Sequence, residues 1–283
     1  VKQNNTEIKA LLNLIDDPND IVFRHVSNKI LLHGIDIIPD LEKAWEKSTN
    51  KIIHERIENL ILDLQFSTIK QDFTNWKNSK KQDLLTGIFL IAKFQYQNIK
   101  FETIVNKINK IERDIWIEIN DNLTALEKVR IINKVLFEHH NFSIIDSENI
   151  SPKDLYINNF LDTKKGGKIL IGLVYIILAK KLNISIEGVL LPKKLILAYI
   201  DDYSLEKDIL FYINPDDKGK PFNKKEINYY IEQNNLEKKS SYYLPANNIE
   251  IIKFLLQQLI LLYKNENNTN KILNLQNIIN IIK

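Results

Sequence analysis

Residues 162–199, DTKKGGKILIGLVYIILAKKLNISIEGVLLPKKLILAY, decide how the chain is read. A Gly-Gly turn at Gly166-Gly167 opens an apolar run that predicts a helix from about Lys168 to Lys181. Ile184 to Leu190 and Leu195 to Ile200 are rich in branched aliphatic residues and predict β-strands, separated by Pro192 and two lysines. Ile209 to Ile213 predicts a third strand. Asn214-Pro215-Asp216-Asp217 stops it, and Gly219 marks a further turn. Three closely spaced strands with antiparallel meander spacing need a helix on one face to become stable, and the 168–181 helix is the natural cover.

Upstream, the pattern is helical from residue 6 to about 140. Thr6 and Glu7 open a first helix, and Asp20 reads as the cap of a second after the turn Asp16-Asp17-Pro18-Asn19. A break at His33-Gly34 is followed by Pro39 in a first helical turn. Apolar residues then recur at three- and four-residue spacing from Ile52 to Leu64. Phe73 and Trp76 mark a separate short helix, followed by Leu84 to Phe94 and Phe101 to Ile111. Thr124 with Glu127 three residues on is a capping-box signature for the next. Residues 141–160 read as loop with one short helix. Downstream, Asn223 and Glu226 start another helix, and Ile249 to Tyr263 with Asn270 to Ile282 form a helical hairpin. The fold class is therefore α+β and mainly helical. The expected domains are 1–66 as HEAT-like helical hairpins, 67–240 as the domain holding the sheet, and 241–283 as a tetratricopeptide-like hairpin.

Composition narrows the functional classes. Among 283 residues, 39 Lys+Arg against 36 Asp+Glu leave a net charge of only +3, too small to mark a nucleic-acid binder. The absence of cysteine excludes disulfides, thiolate nucleophiles and Cys-ligated metals. The longest apolar runs, about 11 residues, fall short of the roughly 20 that span a bilayer. The expectation is a cytoplasmic protein without a membrane segment.

The candidate sites are sparse. His139-His140 are adjacent on a helix and point about 100° apart, a poor metal grip, and they suit a helix end. His25, His33 and His54 are isolated. Gly166-Gly167-Lys168 lacks the GxxxxGK[ST] of a phosphate loop, with Ile169 where a hydroxyl is required. Lys164, Lys165, Lys168, Lys180, Lys181, Lys193 and Lys194 crowd the 162–199 stretch, as a solvated lysine surface or as a basic patch for an acidic partner. No metal or cofactor is expected.

Four segments carry a family resemblance: 113–142, 164–192, Leu197-Ala198-Tyr199 and Phe211-Tyr212-Ile213-Asn214-Pro215. Together they resemble the SirB-type transglutaminase-like family of bacterial proteins, in the form with a helical N-terminal region and a tetratricopeptide-like C-terminus. The resemblance runs from about residue 7 to the end. It implies a papain-like core in which the first turn of the helix supplies a nucleophile, the start of the following strand a histidine base, and a position near 214 the orienting group. Gly166, Ile169, Tyr175, Gly188, Pro192 and Tyr199 match the family's structural positions. Lys168 replaces its proline, Leu170 its serine (near the catalytic cysteine of true transglutaminases), Lys194 its histidine and Asn214 its aspartate. The resemblance thus implies a degenerate cleft around Gly166, Gly167, Lys168, Leu170, Lys193, Lys194, Asn214 and Pro215. It implies a non-catalytic protein acting as a protein-binding or regulatory scaffold. The alternative is a hydrolase or transferase in which Lys194 works with Asp216, Glu187 or a hydroxyl.

Overall fold

The computed structural model describes residues 2–146, 148–201, 204 and 208–283, with backbone alone for 2–6. It divides into two compact units, Val1–Asn75 and Trp76–Lys283.

The first unit is helical: α1 (Lys2–Asn13), α2 (Asp20–Leu32), a 3-10 turn (Gly34–Ile37), α3 (Ile38–Lys47) and most of α4 (Lys51–Asn78). Asn19, not Asp20, caps α2. Its side chain accepts from the Ile21 N–H at 2.9 Å, and Asp20 becomes the first helical residue, where its charge faces the positive helix end. The core joins Leu11 and Ile15 to Ile30, Leu41, Ile57 and Leu64. Arg56 ties it together by donating to the carbonyls of Ile15 and Asp17 at 2.7 and 2.8 Å while stacking over Phe23. The two helices expected around 52–64 and 73–76 are one 28-residue α4, because no Gly or Pro interrupts the run between them.

The second unit holds α5 (Leu84–Gln95), α6 (Phe101–Trp116), α7 (Ala125–Asn133) and a π-helical segment continuing α7 (Lys134–His139). The Thr124–Glu127 capping box opens α7, with Thr124 N–H donating to Glu127 Oε2 at 2.8 Å. Next come β1 (Ser143–Ile144), a 3-10 turn (Pro152–Leu155), α8 (Ile157–Thr163), β2 (Lys165–Gly166) and α9 (Lys168–Lys181). Gly166 is not in a turn: β2 pairs in parallel with β1, Gly166 opposite Ile144. The chain reverses at Lys164 instead, which adopts the left-handed conformation at φ 59°.

Every residue of α9 from Ile169 to Ala179 is buried. A helix apolar on all sides belongs at the centre of a domain. On one side it meets the four-stranded antiparallel sheet β3 (Ile186–Leu191), β4 (Lys194–Ile200), β5 (Ile209–Asn214) and β6 (Lys220–Phe222), ordered as in sequence. The Leu195 side chain of β4 reaches α9 at Gly172, where an added methyl group would stand 2.9 Å from it. The opposite sheet face, with Val189, Ile196, Ala198 and Tyr212, is covered by Ile227 and Ile231 of α10 (Lys224–Gln233). Strand β6 adds to the three expected ones. Its three residues include Pro221, which a sheet edge tolerates, so no recognisable strand run exists there.

The C-terminal hairpin, α11 (Asn248–Asn265) and α12 (Thr269–Ile281), lies within the same compact unit. Seven α11 residues from Ile251 to Tyr263 are buried, and α11 packs on α5 and on the Pro152–Leu155 turn. The docking is sealed by buried phenols. Tyr156 and Tyr263 share a hydrogen bond of 2.8 Å, and Tyr263 Oη donates to Gln95 Oε1 at 3.2 Å.

Candidate functional site

Ser151, Pro152 and Asp154 begin the site. Ser151 N–H and Oγ both donate to Asp154 Oδ2, at 2.8 and 2.7 Å, closing the 3-10 turn. The Asp154 carbonyl then accepts the Gly167 N–H at 2.8 Å and pins the start of α9. Both glycines are there for proximity. A methyl group would stand 2.5 Å from the Phe160 ring at Gly166 and 2.3 Å from Leu155 at Gly167. Neither glycine is among the residues that line the cavity beyond them.

Beyond this start, α9 presents Lys168 and Ile169 to a cavity of about 320 Å³. The β3–β4 turn brings Lys193 and Lys194 to the same cavity. Pro192 fixes the first corner of that two-residue turn, and Lys193 occupies the second at φ 65°, a conformation favouring glycine. The turn is anchored by Tyr230, whose hydroxyl donates to the Pro192 carbonyl at 2.6 Å. Asp216 completes the polar wall. Asn214 ends β5 and accepts the Asp216 N–H at 3.3 Å through its side chain, forming the 3-10 turn Pro215–Asp217. That turn carries the Asp216 carboxylate to 3.6 Å from Lys194 Nζ, with side-chain exposures of 19% and 24%. Burial pushes the Asp216 carboxyl above its usual range, opposed by the charges of Lys194 and Lys168.

The rest of the wall is apolar. Phe254, Leu261 and Leu262 of α11 close one side, with the Gln258 amide among them, and Ile145, Ile150 and Leu155 close another. A second cavity of about 360 Å³ lies across Lys194. It is bordered by Asn214, Phe222, Ile227, Tyr229 and Tyr230. Lys194 is the residue common to both.

The candidate residues thus separate. Lys168, Lys193 and Lys194 share one cavity, and Asn214 reaches the other. Leu170 is fully buried, and Pro215 is buried near α9, where a methyl group on Gly172 would lie 3.4 Å from its ring. Asp216 is the expected partner of Lys194. Glu187 pairs in register with Ala198, four β3–β4 pairs beyond Leu191–Lys194, about 13 Å along the strand. No Ser, Thr or His lines the 320 Å³ cavity. The α11 wall was not visible in sequence, because Phe254, Leu261 and Leu262 read there as ordinary positions of an amphipathic hairpin.

The other flagged residues lie elsewhere. His140 Nε2 sits 2.8 Å from Asp114 of α6, fastening the end of the π-helical segment. His54 stacks on Trp45, and its Nε2 lies 2.7 Å from the Ser48 carbonyl. The lysines around α9 do not form one face. Lys180 lies about 18 Å along the helix from Lys168, where it pairs with Asp83. Among the described residues, no group of three or more His, Asp or Glu converges on a point, and no helix is long and apolar enough to cross a membrane.

A central buried helix feeding an antiparallel meander is the arrangement the sequence resemblance implied. The family described as Transglutaminase-like superfamily matches residues 102–257, more than half of the chain and the whole span from α6 into α11. No curated protein and no solved structure matches. By the extent of the family match, this chain belongs to the Transglutaminase-like superfamily.

Proposed function

We propose that the chain is a non-catalytic member of the superfamily, of SirB type, acting in the bacterial cytoplasm as a protein-binding or regulatory scaffold. Leu170 carries this reading. It occupies the nucleophile's turn of α9, is fully buried, and faces packing instead of a cavity. Acyl transfer needs a nucleophile with a base in hydrogen-bonding reach. Here the nucleophile position is hydrocarbon, and the base position is an ammonium engaged with Asp216. The helical surroundings fit contact with a protein: residues 1–66 as HEAT-like hairpins and 241–283 as a tetratricopeptide-like unit, flanking a domain at 67–240. Nucleic acid is not part of this reading, since the α9 lysines are split between the two helix ends.

The test is incorporation of dansylcadaverine into casein, together with the cellular activity of Lys194→Ala. The expected results are no incorporation and an intact cellular activity in the folded variant. Incorporation by the wild type that disappears in Lys194→Ala would overturn the proposal.

One observation favours a second reading, a hydrolase or transferase centred on Lys194. The side chain is three-quarters buried, borders both cavities and has a carboxylate beside it. Lysines so placed can act as nucleophiles. p-Nitrophenyl acetate would then acetylate Lys194 ahead of the exposed lysines, in a pattern that Asp216→Asn alters. Uniform labelling of surface lysines excludes it.

A further inference from the structure

The 320 Å³ cavity has two unlike halves. Three lysines face one aspartate at the start of α9 and the β3–β4 turn, while the α11 side is hydrocarbon apart from the Gln258 amide. Among the described residues, Lys194 is the one ion-paired with Asp216; Lys168 and Lys193 are exposed at the cavity and bring positive charge beyond the one carboxylate there. Leu261 is half exposed and adds apolar surface to this wall beside Phe254 and Leu262. Charge excess at one end and apolar surface at the other select an anion with a hydrocarbon body. The volume limits that body: at the ~30 Å³ that one water takes up in the liquid, the cavity holds roughly eleven non-hydrogen atoms. Its size is within the usual range for small-molecule sites, and walls from five separate segments leave little room for a folded partner's surface.

We propose that this cavity binds a small amphiphilic carboxylate, a medium-chain aliphatic acid or an aryl acid of similar size. The carboxylate lies between Lys168 and Lys193, and the hydrocarbon lies against Phe254, Leu261 and Leu262. This goes beyond the scaffold reading and does not depend on it, since a cleft without a nucleophile and a cleft with a different nucleophile would both admit such a ligand.

The experiment is calorimetric titration of the full chain with octanoate, octanol and octylammonium at low salt. Octanoate is expected to saturate one site with Kd below about 1 mM, a reasonable affinity for a ligand of ten heavy atoms. Octanol and octylammonium are expected to bind at least about tenfold more weakly, since tenfold corresponds to one modest charge interaction. The double variant Lys168→Gln/Lys193→Gln changes only exposed side chains. It should weaken octanoate about tenfold and leave octanol unchanged, reducing the preference to parity. Phe254→Asp, with folding checked by circular dichroism, should abolish octanoate binding. Three results would overturn the proposal: no saturable octanoate binding, equal affinity for octanol, or an unchanged octanoate Kd in the lysine variant. Binding of acetyl-Ala-Leu-Leu through its free carboxylate, without binding of octanoate, would also overturn it and assign the cavity to a peptide terminus. None of these results changes the outcome of the dansylcadaverine assay, so the two proposals fail separately.

Discussion

Leu170→Ala asks how much the first turn of α9 contributes to the core. Leu170 has no solvent exposure and sits in the first turn of a helix buried over eleven consecutive residues. Truncation removes three carbons, and at about 0.8 kcal/mol per buried methylene the lost transfer energy is about 2.4 kcal/mol. A void in a helix held from several sides collapses only in part, which adds about 1 kcal/mol or more and brings the cost to about 3–4 kcal/mol. A relic of a solvent-facing catalytic position would cost well under 1 kcal/mol. The assay is equilibrium urea unfolding followed by tryptophan emission. Trp45 belongs to the first compact unit, so the measurement uses a Trp45→Phe background in which Trp76 and Trp116 report on the second. Leu261→Ala, at a half-exposed surface position, is the control and should cost less than about 0.5 kcal/mol. A Leu170→Ala cost below about 1 kcal/mol, with an unchanged urea slope, would refute the claim that Leu170 packs as core in this turn.

Gly219→Ala should destabilise by about 3 kcal/mol or more. Gly219 has φ 72°, and an added methyl group would stand 1.9 Å from Asn133 Oδ1, displacing the side chain that donates to the Gly219 carbonyl and accepts from buried Tyr175. A urea midpoint within error of the wild type would contradict that network. Asp216→Asn should gain on the wild type as pH rises from 4 to 7. Burial raises the Asp216 carboxyl above its ordinary 3.8, so its contribution to stability is present below that value and lost as pH climbs through the folded one. Midpoints at pH 4, 5.5 and 7 that move in the wild type's favour would show the Lys194 pairing to outweigh burial. Lys193→Gly should stabilise by up to about 1 kcal/mol, because relief of a left-handed lysine exceeds the extra freedom glycine has when unfolded. A loss of thermal stability would mean that the lysine side chain holds the turn.

The central helix and the first three strands were legible because their signals are local: apolar runs of the right length, ended by Pro192 and by Asn214-Pro215. The caps at Thr124 and Asn223 were legible for the same reason. What could not be read depends on partners distant in sequence. Strand β6 is three residues long and exists because Tyr212, Ile213 and Asn214 offer an edge. The β1–β2 pair consists of two short segments whose pairing only the fold reveals. The Gly166-Gly167 pair looked like turn chemistry, yet the residues it accommodates are Phe160 and Leu155 from the preceding helix and turn. Asn133 carried no signal at all, although it links α7, Tyr175 and the Gly219 turn.

Positions 194, 214 and 216 are coupled to one another through the structure. Leucine at 170 offers no nucleophile for a base to activate. A lysine at 194 needs a counter-charge, because its side chain is three-quarters buried beside a cavity that already holds Lys168 and Lys193. Asn214 meets that need indirectly. As an amide it accepts the Asp216 N–H and forms the 3-10 turn, and the turn delivers the Asp216 carboxylate to Lys194. The coupling is testable. Placing histidine at 194 alone leaves Asp216 without its ammonium and should destabilise the chain at neutral pH, whereas Lys194→His combined with Asp216→Asn should recover most of the loss. Additive losses in that double-mutant cycle, measured by urea unfolding, would show that 194 and 216 act independently.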